Sequence, residues 1–295
     1  MTEKINTDVI LAVVEQGSFK DAADLLGYTQ AGISYIINTA EQVLGFRLFY
    51  REHSGIRLTS EGEALLPYLY NIKNDERRMQ NKISDLNGLN AGHIKVLVFD
   101  SVFVNWIPKI LKEFKAIYPN VTLEFISEED CKKAELMLLH HDVDCAFFLH
   151  HVKNKDIHTR FLLEESLKAV VSPDHPMAAN GSFSVNELGS YPYIRMAFHE
   201  DTGIDEIFAT YDTVPNTVYT IDNDYAAIAM AAENHGFCIF PELLLANAPS
   251  NVVCLDFDRP VHRTISIGTV DPKECSAIVT AFTEFVVSWV KKSIS

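Results

Sequence analysis

The chain has 295 residues, 47% of them hydrophobic and 22% charged, a soluble-protein balance with enough apolar content to core two or three domains. No apolar run reaches the ~18–20 residues that cross a bilayer. The polar start Met1-Thr2-Glu3-Lys4 leads into an amphipathic stretch without a signal-peptide core, so a cytoplasmic protein with no membrane partner is expected. The formal net charge of −15 excludes unspecific phosphate attraction by the molecule as a whole: residues 1–90 carry −3 and the remainder −12. Any contact with nucleic acid must come from a focused set of basic side chains.

In chain order, Ser18 is placed to cap a short helix. Ala22, Leu25 and Leu26 form its inward stripe, and Gly27 stops it. Thr29 then caps a second helix that turns Ile33, Ile36 or Ile37, and Ala40 inward. Two short helices around a three-residue turn have the geometry of a helix-turn-helix, whose second helix sets its N-terminal residues on base edges in the major groove. That geometry assigns Thr29, Gln30, Ala31, Ser34 and Tyr35 to DNA, with Gln30 able to pair bidentately with adenine and Ala31 able to touch a thymine methyl. Arg51 through Thr59 has the pattern of a wing, with Ser54-Gly55 as its turn. Arg47, Arg51 and Arg57 are placed to hold phosphates, which set register without reading sequence. The same spacing also fits an ordinary helical hairpin with surface arginines, and Thr29–Thr39 contains no Lys or Arg.

A long helical pattern runs from Glu61 to about Leu89. Leu65, Ile72, Met79 and Leu86 recur every seven residues, Leu69 and Ile83 take the complementary positions, and Glu76 interrupts one of them. The pattern fits two helices paired along their length, and equally an amphipathic helix packed on its own domain. Asn87-Gly88-Leu89-Asn90-Ala91-Gly92 is a turn-rich break.

Beyond the break, strand-like and helical patterns alternate, which predicts α/β units around parallel sheets. Strands are expected at Ile94–Phe99, Val121–Ile126 and Val143–Leu149, helices at Phe103–Tyr118 and Glu129–His140, and a closing helix over Pro272–Lys292. Further apolar runs lie at Leu167–Val171, Tyr193–Met196, Cys238–Phe240 and Ile265–Val270. The five cysteines (Cys131, Cys145, Cys238, Cys254 and Cys275) stand singly without a CxxC pair and read as reduced packing thiols, a redox pair being the alternative. His140-His141 and His150-His151 flank a strand. Neighbours on a strand face opposite ways, so each pair offers one ligand to a shared site and no metal is expected. There is no GxSxG elbow, P-loop, Rossmann glycine fingerprint or HExxH, so neither an enzyme nor a cofactor is predicted.

The run Val14-Glu15-Gln16-Gly17-Ser18-Phe19, Ala22-Ala23, Leu25, Thr29-Gln30-Ala31-Gly32-Ile33-Ser34, Glu41, Leu44-Gly45, Leu48-Phe49-Tyr50-Arg51, Leu58-Thr59 and Gly62 resembles the N-terminal domain of the LysR-type transcriptional regulators. Family members often carry serine where Thr29 stands, proline near Ala31, a basic residue at Tyr35 and Leu-Glu at Ala40-Glu41. Trp106-Ile107-Pro108, Tyr118-Pro119-Asn120-Val121, Val143-Asp144-Cys145-Ala146-Phe147 and Asn234-His235-Gly236-Phe237-Cys238-Ile239-Phe240-Pro241 are similar to that family's effector-binding module.

The resemblance implies an α/β chain with a winged helix-turn-helix over residues 1–60, a linker and dimerisation helix over 61–90, and a periplasmic-binding-protein-like effector domain over 91–295. Its first subdomain would cover about 91–163 and 266–295, its second about 164–265. It further implies double-stranded DNA as partner, a homodimer or homotetramer, and a small-molecule effector held between the subdomains. Ligands of open α/β sheets sit at strand ends, which nominates Asp100, Ser101, Val102, Ser127, Phe148 and His150 from the first subdomain and Arg195, Phe198 and Asp222 from the second. The alternative functions are a solute-binding or interaction protein with weakened DNA binding, and an enzyme on the same scaffold.

Overall fold

The computed structural model describes residues 5–52, 55–87, 91–197, 204, 206–246, 251–259 and 261–294. The chain divides into two compact units, Met1–Gln80 and Asn81–Ser295.

The first unit holds helices α1 (Thr7–Gln16), α2 (Phe19–Leu26) and α3 (Gln30–Leu44), the hairpin strands β1 (Phe49–Glu52) and β2 (Gly55–Leu58), and most of the long helix α4 (Ser60–Leu86). Each short helix is punctuated locally. The side chains of Asn6, Ser18 and Thr29 accept backbone N–H groups at the three starts, and Gly17, Gly27 and Gly45 close the ends with φ of +61°, +70° and +81°. Val9, Ile10, Val13, Phe19, Ala22, Ala23, Ile33, Ile37, Ala40, Leu48 and Phe49 seal the core, each large side chain contributing about 1.5–3 kcal/mol by leaving water. Leu25 is not in the inward stripe: Phe19, Ala22, Ala23 and Leu26 face the core at helical spacing, and Leu25 is left 59% exposed. Of the two isoleucines offered for α3, Ile37 is the fully buried one.

The turn into α4 is tightly specified. Thr59 Oγ1 donates to the Arg47 carbonyl (2.6 Å) and accepts the Gly62 N–H (3.0 Å). A Cβ on Gly62 would stand 2.5 Å from the Leu48 carbonyl oxygen, so only glycine lets the helix approach the hairpin this closely.

The second unit begins inside α4. Asn81, 4% exposed, donates to the His93 carbonyl (2.8 Å) and accepts the His93 N–H (3.0 Å), and Asp85 accepts the Ala277 N–H (2.9 Å). The contacts of α4 divide at Gln80. There follow β3 (Gly92–Val98), α5 (Asp100–Asn105), α6 (Ile107–Ile117), β4 (Val121–Ser127), α7 (Cys131–Leu139), β5 (Cys145–Phe148) and β6 (His158–Val171). Next come β7 (Ser182–Phe183), β8 (Pro192–Met196), α8 (Glu206–Thr210), β9 (Asn216–Ile221), α9 (Asp224–Ala232), β10 (Cys238–Pro241) and α10 (Glu242–Leu245). β11 (Val253–Phe257), β12 (His262–Thr269) and α11 (Ala277–Ile294) complete the chain.

One sheet runs β4-β3-β5-β12-β6, with β3 parallel to β4 and β5 and with β12 antiparallel to β5 and β6. From Leu167 onward β6 changes partners and is flanked by β10 and β11, both antiparallel, with β7 beyond β11. A parallel bridge from Tyr193 to Phe237 brings the β8-β9 pair alongside β10. Two α/β subdomains thus share one 14-residue strand, and β12 runs back beside it.

Several expected elements are redrawn. The helix expected over Phe103–Tyr118 breaks at Trp106, because Pro108 has no N–H and its ring cannot follow the Val104 carbonyl within one helix. Of β6, only Leu167–Val171 stood out in the sequence, since its first half, beginning His158-Thr159-Arg160-Phe161, is largely exposed. The closing helix starts at Ala277 rather than Pro272, after a turn in which Asp271 accepts the N–H groups of Lys273 and Glu274. Among the described residues no helix is long and apolar enough to cross a membrane, and no cluster of His, Cys, Asp or Glu is arranged to hold a metal.

Candidate nucleic-acid interface and effector cleft

The N-terminal half of α3 separates into two faces. Ile33, Ile37 and Ala40 are fully buried, while Gln30 and Ala31 are exposed, Tyr35 is 73% exposed and Ser34 is half-buried between them. Thr29 Oγ1 accepts the Gly32 N–H (3.1 Å), so its hydroxyl proton remains free to donate. A Cβ at residue 32 would sit 3.2 Å from that oxygen, which gives the mid-helix glycine a local reason.

Arg47 is exposed just past the end of α3, where Glu41 accepts the N–H groups of Leu48 (2.7 Å) and Phe49 (3.2 Å) and sets the direction of the hairpin. The hairpin pairs Tyr50 with Arg57, and the guanidinium lies over the tyrosine ring at 5.5 Å from its centroid. Arg51 lies on β1 opposite Ile56, its side chain outside the described residues, as is the Ser54 of the expected turn. The wing begins at Phe49, two residues before Arg51.

The seven-residue repeat of α4 is split between two uses. Leu65 and Leu69 pack into the first unit's core, whereas Ile72, Met79, Ile83 and Leu86 are 44%, 54%, 42% and 78% exposed. A row of exposed apolar side chains at heptad spacing is a surface that favours burial against another helix.

At the ends of β3 and β4, Ser127 Oγ donates to the Asp100 carboxylate and Glu129 accepts the Asp100 N–H (2.9 Å). Ser101, next in the chain, accepts from Arg263 Nη2 (2.9 Å). Arg263 also donates through Nε to Glu165 (2.7 Å), directly opposite it on β6, and the other oxygen of Glu165 accepts the Leu243 N–H (2.5 Å) at the head of α10. The two ionised side chains are 1% and 3% exposed. One buried pair therefore joins the start of α5, both crossing strands and the second subdomain. No motif announced this network, because the pair and its two partners, Ser101 and Leu243, span residues 101 to 263.

Val102 and Phe148, nominated as ligand contacts, are fully buried among the apolar side chains of the first subdomain. They serve the core, because each projects into the sheet–helix interface rather than out of the strand ends. His150 joins Glu135 (Nε2 to Oε1, 2.8 Å). Arg195 is half-buried on β8 opposite Thr220, Asp222 is exposed beside the Asn223 that caps α9, and Phe198 lies outside the described residues. The expectation that His150 and His151 face opposite ways is corrected. Both come after β5 has ended, so strand alternation does not apply, and both line one cavity of about 450 Å³. The five cysteines form no disulfide, and burial pushes the Cys145 and Cys238 thiols well up, so neither carries a ready thiolate.

Two family profiles match this arrangement. One, described as the bacterial regulatory helix-turn-helix protein of the lysR family, covers residues 7–63; the other, the LysR substrate binding domain, covers residues 87–291. The chain belongs to the LysR family of transcriptional regulators. This regulator is 24% identical over 280 residues to the uncharacterized HTH-type transcriptional regulator YvbU of Bacillus subtilis, covering 94% of each chain. It is 24% identical over 246 residues to the regulator MetR of Salmonella typhimurium, covering 80% of this chain and 75% of MetR. Among solved structures, full-length CbnR complexed with its target DNA superimposes with a TM-score of 0.73 at 19% identity, covering 95% of this chain and 97% of CbnR. The effector binding domain of QuiR in complex with shikimate does so with a TM-score of 0.61 at 23% identity, covering 68% of this chain and 98% of that one.

Proposed function

We propose that this regulator binds double-stranded DNA as a homodimer, or as a tetramer of two dimers, with Gln30, Ala31, Ser34 and Tyr35 on base edges and Thr29, Arg47, Arg51 and Arg57 on the backbone. The observation that carries the reading is the two-faced start of α3: its apolar side is sealed at Ile33 and Ile37, and its polar side stands open at Gln30, Ala31 and Tyr35. Two copies joined along the exposed Ile72–Leu86 row would present two readers on one body, which raises affinity through effective concentration. CbnR, bound to its target DNA, supports the reading by its fold.

The second half is that a small-molecule effector enters between the subdomains near Asp100, Ser101, Ser127, His150, Arg195 and Asp222 and modulates DNA binding from there. Open strand ends beside a shared crossing strand support this, as does the shikimate-bound QuiR domain. A differential affinity for two cleft arrangements is all that such control requires. The protein works in the cytoplasm as a regulator and catalyses no reaction.

The test is a nuclease footprint upstream of the protein's own gene, at low salt, with and without added metabolite pools. Protection is expected, with its extent altered by at least one pool. Absence of protection at low salt overturns the DNA-binding reading and favours a solute-binding role.

A further inference from the structure

The reading helix ends on an acid. Glu41 stands in the last turn of α3, where the carbonyl end of the helix dipole disfavours negative charge. It also lies close in sequence to Arg47, which is assigned to DNA phosphates. Both neighbourhoods oppose a carboxylate, so a specific set of bonds must keep it there. Its backbone carbonyl accepts the Gly45 N–H (2.9 Å). Its side-chain Oε1 reaches past that turn and accepts the N–H groups of Leu48 (2.7 Å) and Phe49 (3.2 Å). Leu48 and Phe49 are buried, and an N–H left unpaired there carries the cost of a lost hydrogen bond.

The peptide between Arg47 and Leu48 is thereby gripped at both ends. Its N–H goes to Glu41, and its carbonyl oxygen accepts the Thr59 hydroxyl (2.6 Å). One partner belongs to the reading helix and the other immediately precedes α4, so the peptide plane is fixed from two sides. A two-stranded hairpin is not stable by itself, and this one has further anchors away from its root. Phe49 meets Phe19 edge-on with ring centroids 6.1 Å apart, and the Ile56 N–H reaches the Gly17 carbonyl (3.3 Å). The Arg47 side chain is exposed, and its guanidinium has no partner among the described residues. The direction in which it leaves the surface is therefore set by its backbone.

We infer that Glu41 is a positioning residue for DNA binding: it fixes Arg47 relative to the base-reading face of α3, so that the phosphate contact and the base contacts fall in one register. It acts through Arg47 rather than on the duplex. The inference rests on the DNA-binding reading and deepens it, for it names what sets the geometry between the two kinds of contact. The sign of the effect separates this role from simple charge. Removing a negative group beside a polyanion tightens binding, whereas removing the oxygen that holds Arg47 in place loosens it.

Binding of the full-length chain to a fluorescent duplex taken from upstream of its own gene is followed by anisotropy across a series of salt concentrations. Glu41→Gln keeps an acceptor oxygen and loses the charge; it should bind within about twofold of the parent, or more tightly. Glu41→Asp keeps the charge and is one methylene short of Leu48. It should bind about fivefold or more weakly, with a salt slope shallower by about one per reader, the change expected for one lost phosphate contact. In an Arg47→Ala background the aspartate should change affinity by less than about twofold, because the contact it misplaces is already gone. Far-ultraviolet circular dichroism like the parent's shows that each variant is folded. A folded Glu41→Asp that binds like the parent overturns the inference, as do equal losses from it with and without Arg47. If Glu41→Asp does not fold, clearly weaker binding by a folded Glu41→Gln still overturns it. In each of these cases the DNA-binding reading stands, whereas no binding by the parent at low salt overturns both.

Discussion

The two units build their sites by opposite strategies. In the first, the candidate reading surface is nearly contiguous in sequence: a cap at Thr29, an exposed turn at Gln30 and Ala31, and a hairpin that brings Arg57 back over Tyr50. In the second, Ser101, Glu165, Leu243 and Arg263 come from four separate elements and meet only because β6 and β12 cross between the subdomains. A contiguous surface tolerates single changes, since each residue is held by its own helix or turn. An assembled site concentrates its risk in whatever joins the pieces, and here that is a buried ion pair.

The sharpest way to break this contrast is Arg263→Met. It strands the Glu165 carboxylate in the interior, and the second unit should lose about 3–5 kcal/mol, whereas Arg263→Met with Glu165→Leu should recover most of the loss. Both tryptophans, Trp106 and Trp289, lie 6.5 Å apart within this unit, so denaturant unfolding followed by tryptophan fluorescence reports it directly. Equal destabilisation of single and double variants would show that the pair is not the joint. Next in size is Gly62→Ala, which forces a methyl against the Leu48 carbonyl oxygen. About 1–3 kcal/mol of overpacking cost is expected in the first unit, with weakened DNA binding and an unaltered tryptophan transition. Thr29→Ala should cost about 1 kcal/mol through the lost cap on α3, and Thr29→Ser should restore it.

A pH experiment sharpens the same comparison. His175 is buried in the second subdomain between Phe183 and Tyr191, and burial holds its pKa below the usual histidine value. The unfolded chain then binds a proton that the folded one refuses. The stability due to His175 is therefore fully present above the unfolded value of about 6.5 and is lost as pH falls from there through the lower folded value. The tryptophan-reported transition should weaken between neutral and mildly acidic pH, and His175→Phe should flatten that slope; an unchanged slope in the variant would discard the assignment. The smallest effect is Arg57→Ala, which should weaken DNA binding nearly uniformly across sequences and reduce the salt slope by about one.

Much of the first unit was legible because its determinants are local. Ser18, Gly27, Thr29 and the apolar spacing of α3 act within one or two turns, and the structure uses each where the pattern put it. Leu25 was misassigned since periodicity alone cannot say which of two adjacent apolar positions the neighbouring helices cover. In the second unit the strands of parallel pairing were visible as apolar runs, but the exposed first half of β6 was not, and the strand that joins the subdomains was half hidden. Val102 and Phe148 were nominated because they follow strand ends, a rule that gives a neighbourhood and not the direction of a side chain. That Lys132, Lys153 and His262 line one cavity carried no signal at all, since they stand on three separate segments.

What the amino-acid order alone determined was the helix-turn-helix and its wing, the heptad row on α4 and the alternation of strands and helices behind it, since caps, glycines and apolar periods act over a few residues. Only the tertiary structure decided which side chains meet. The ion pair of Glu165 with Arg263 and the cavity beside His150 exist because distant segments are brought to the same crossing strands, and the gain from the ion pair depends on burial and Coulomb attraction across separations that no local pattern encodes.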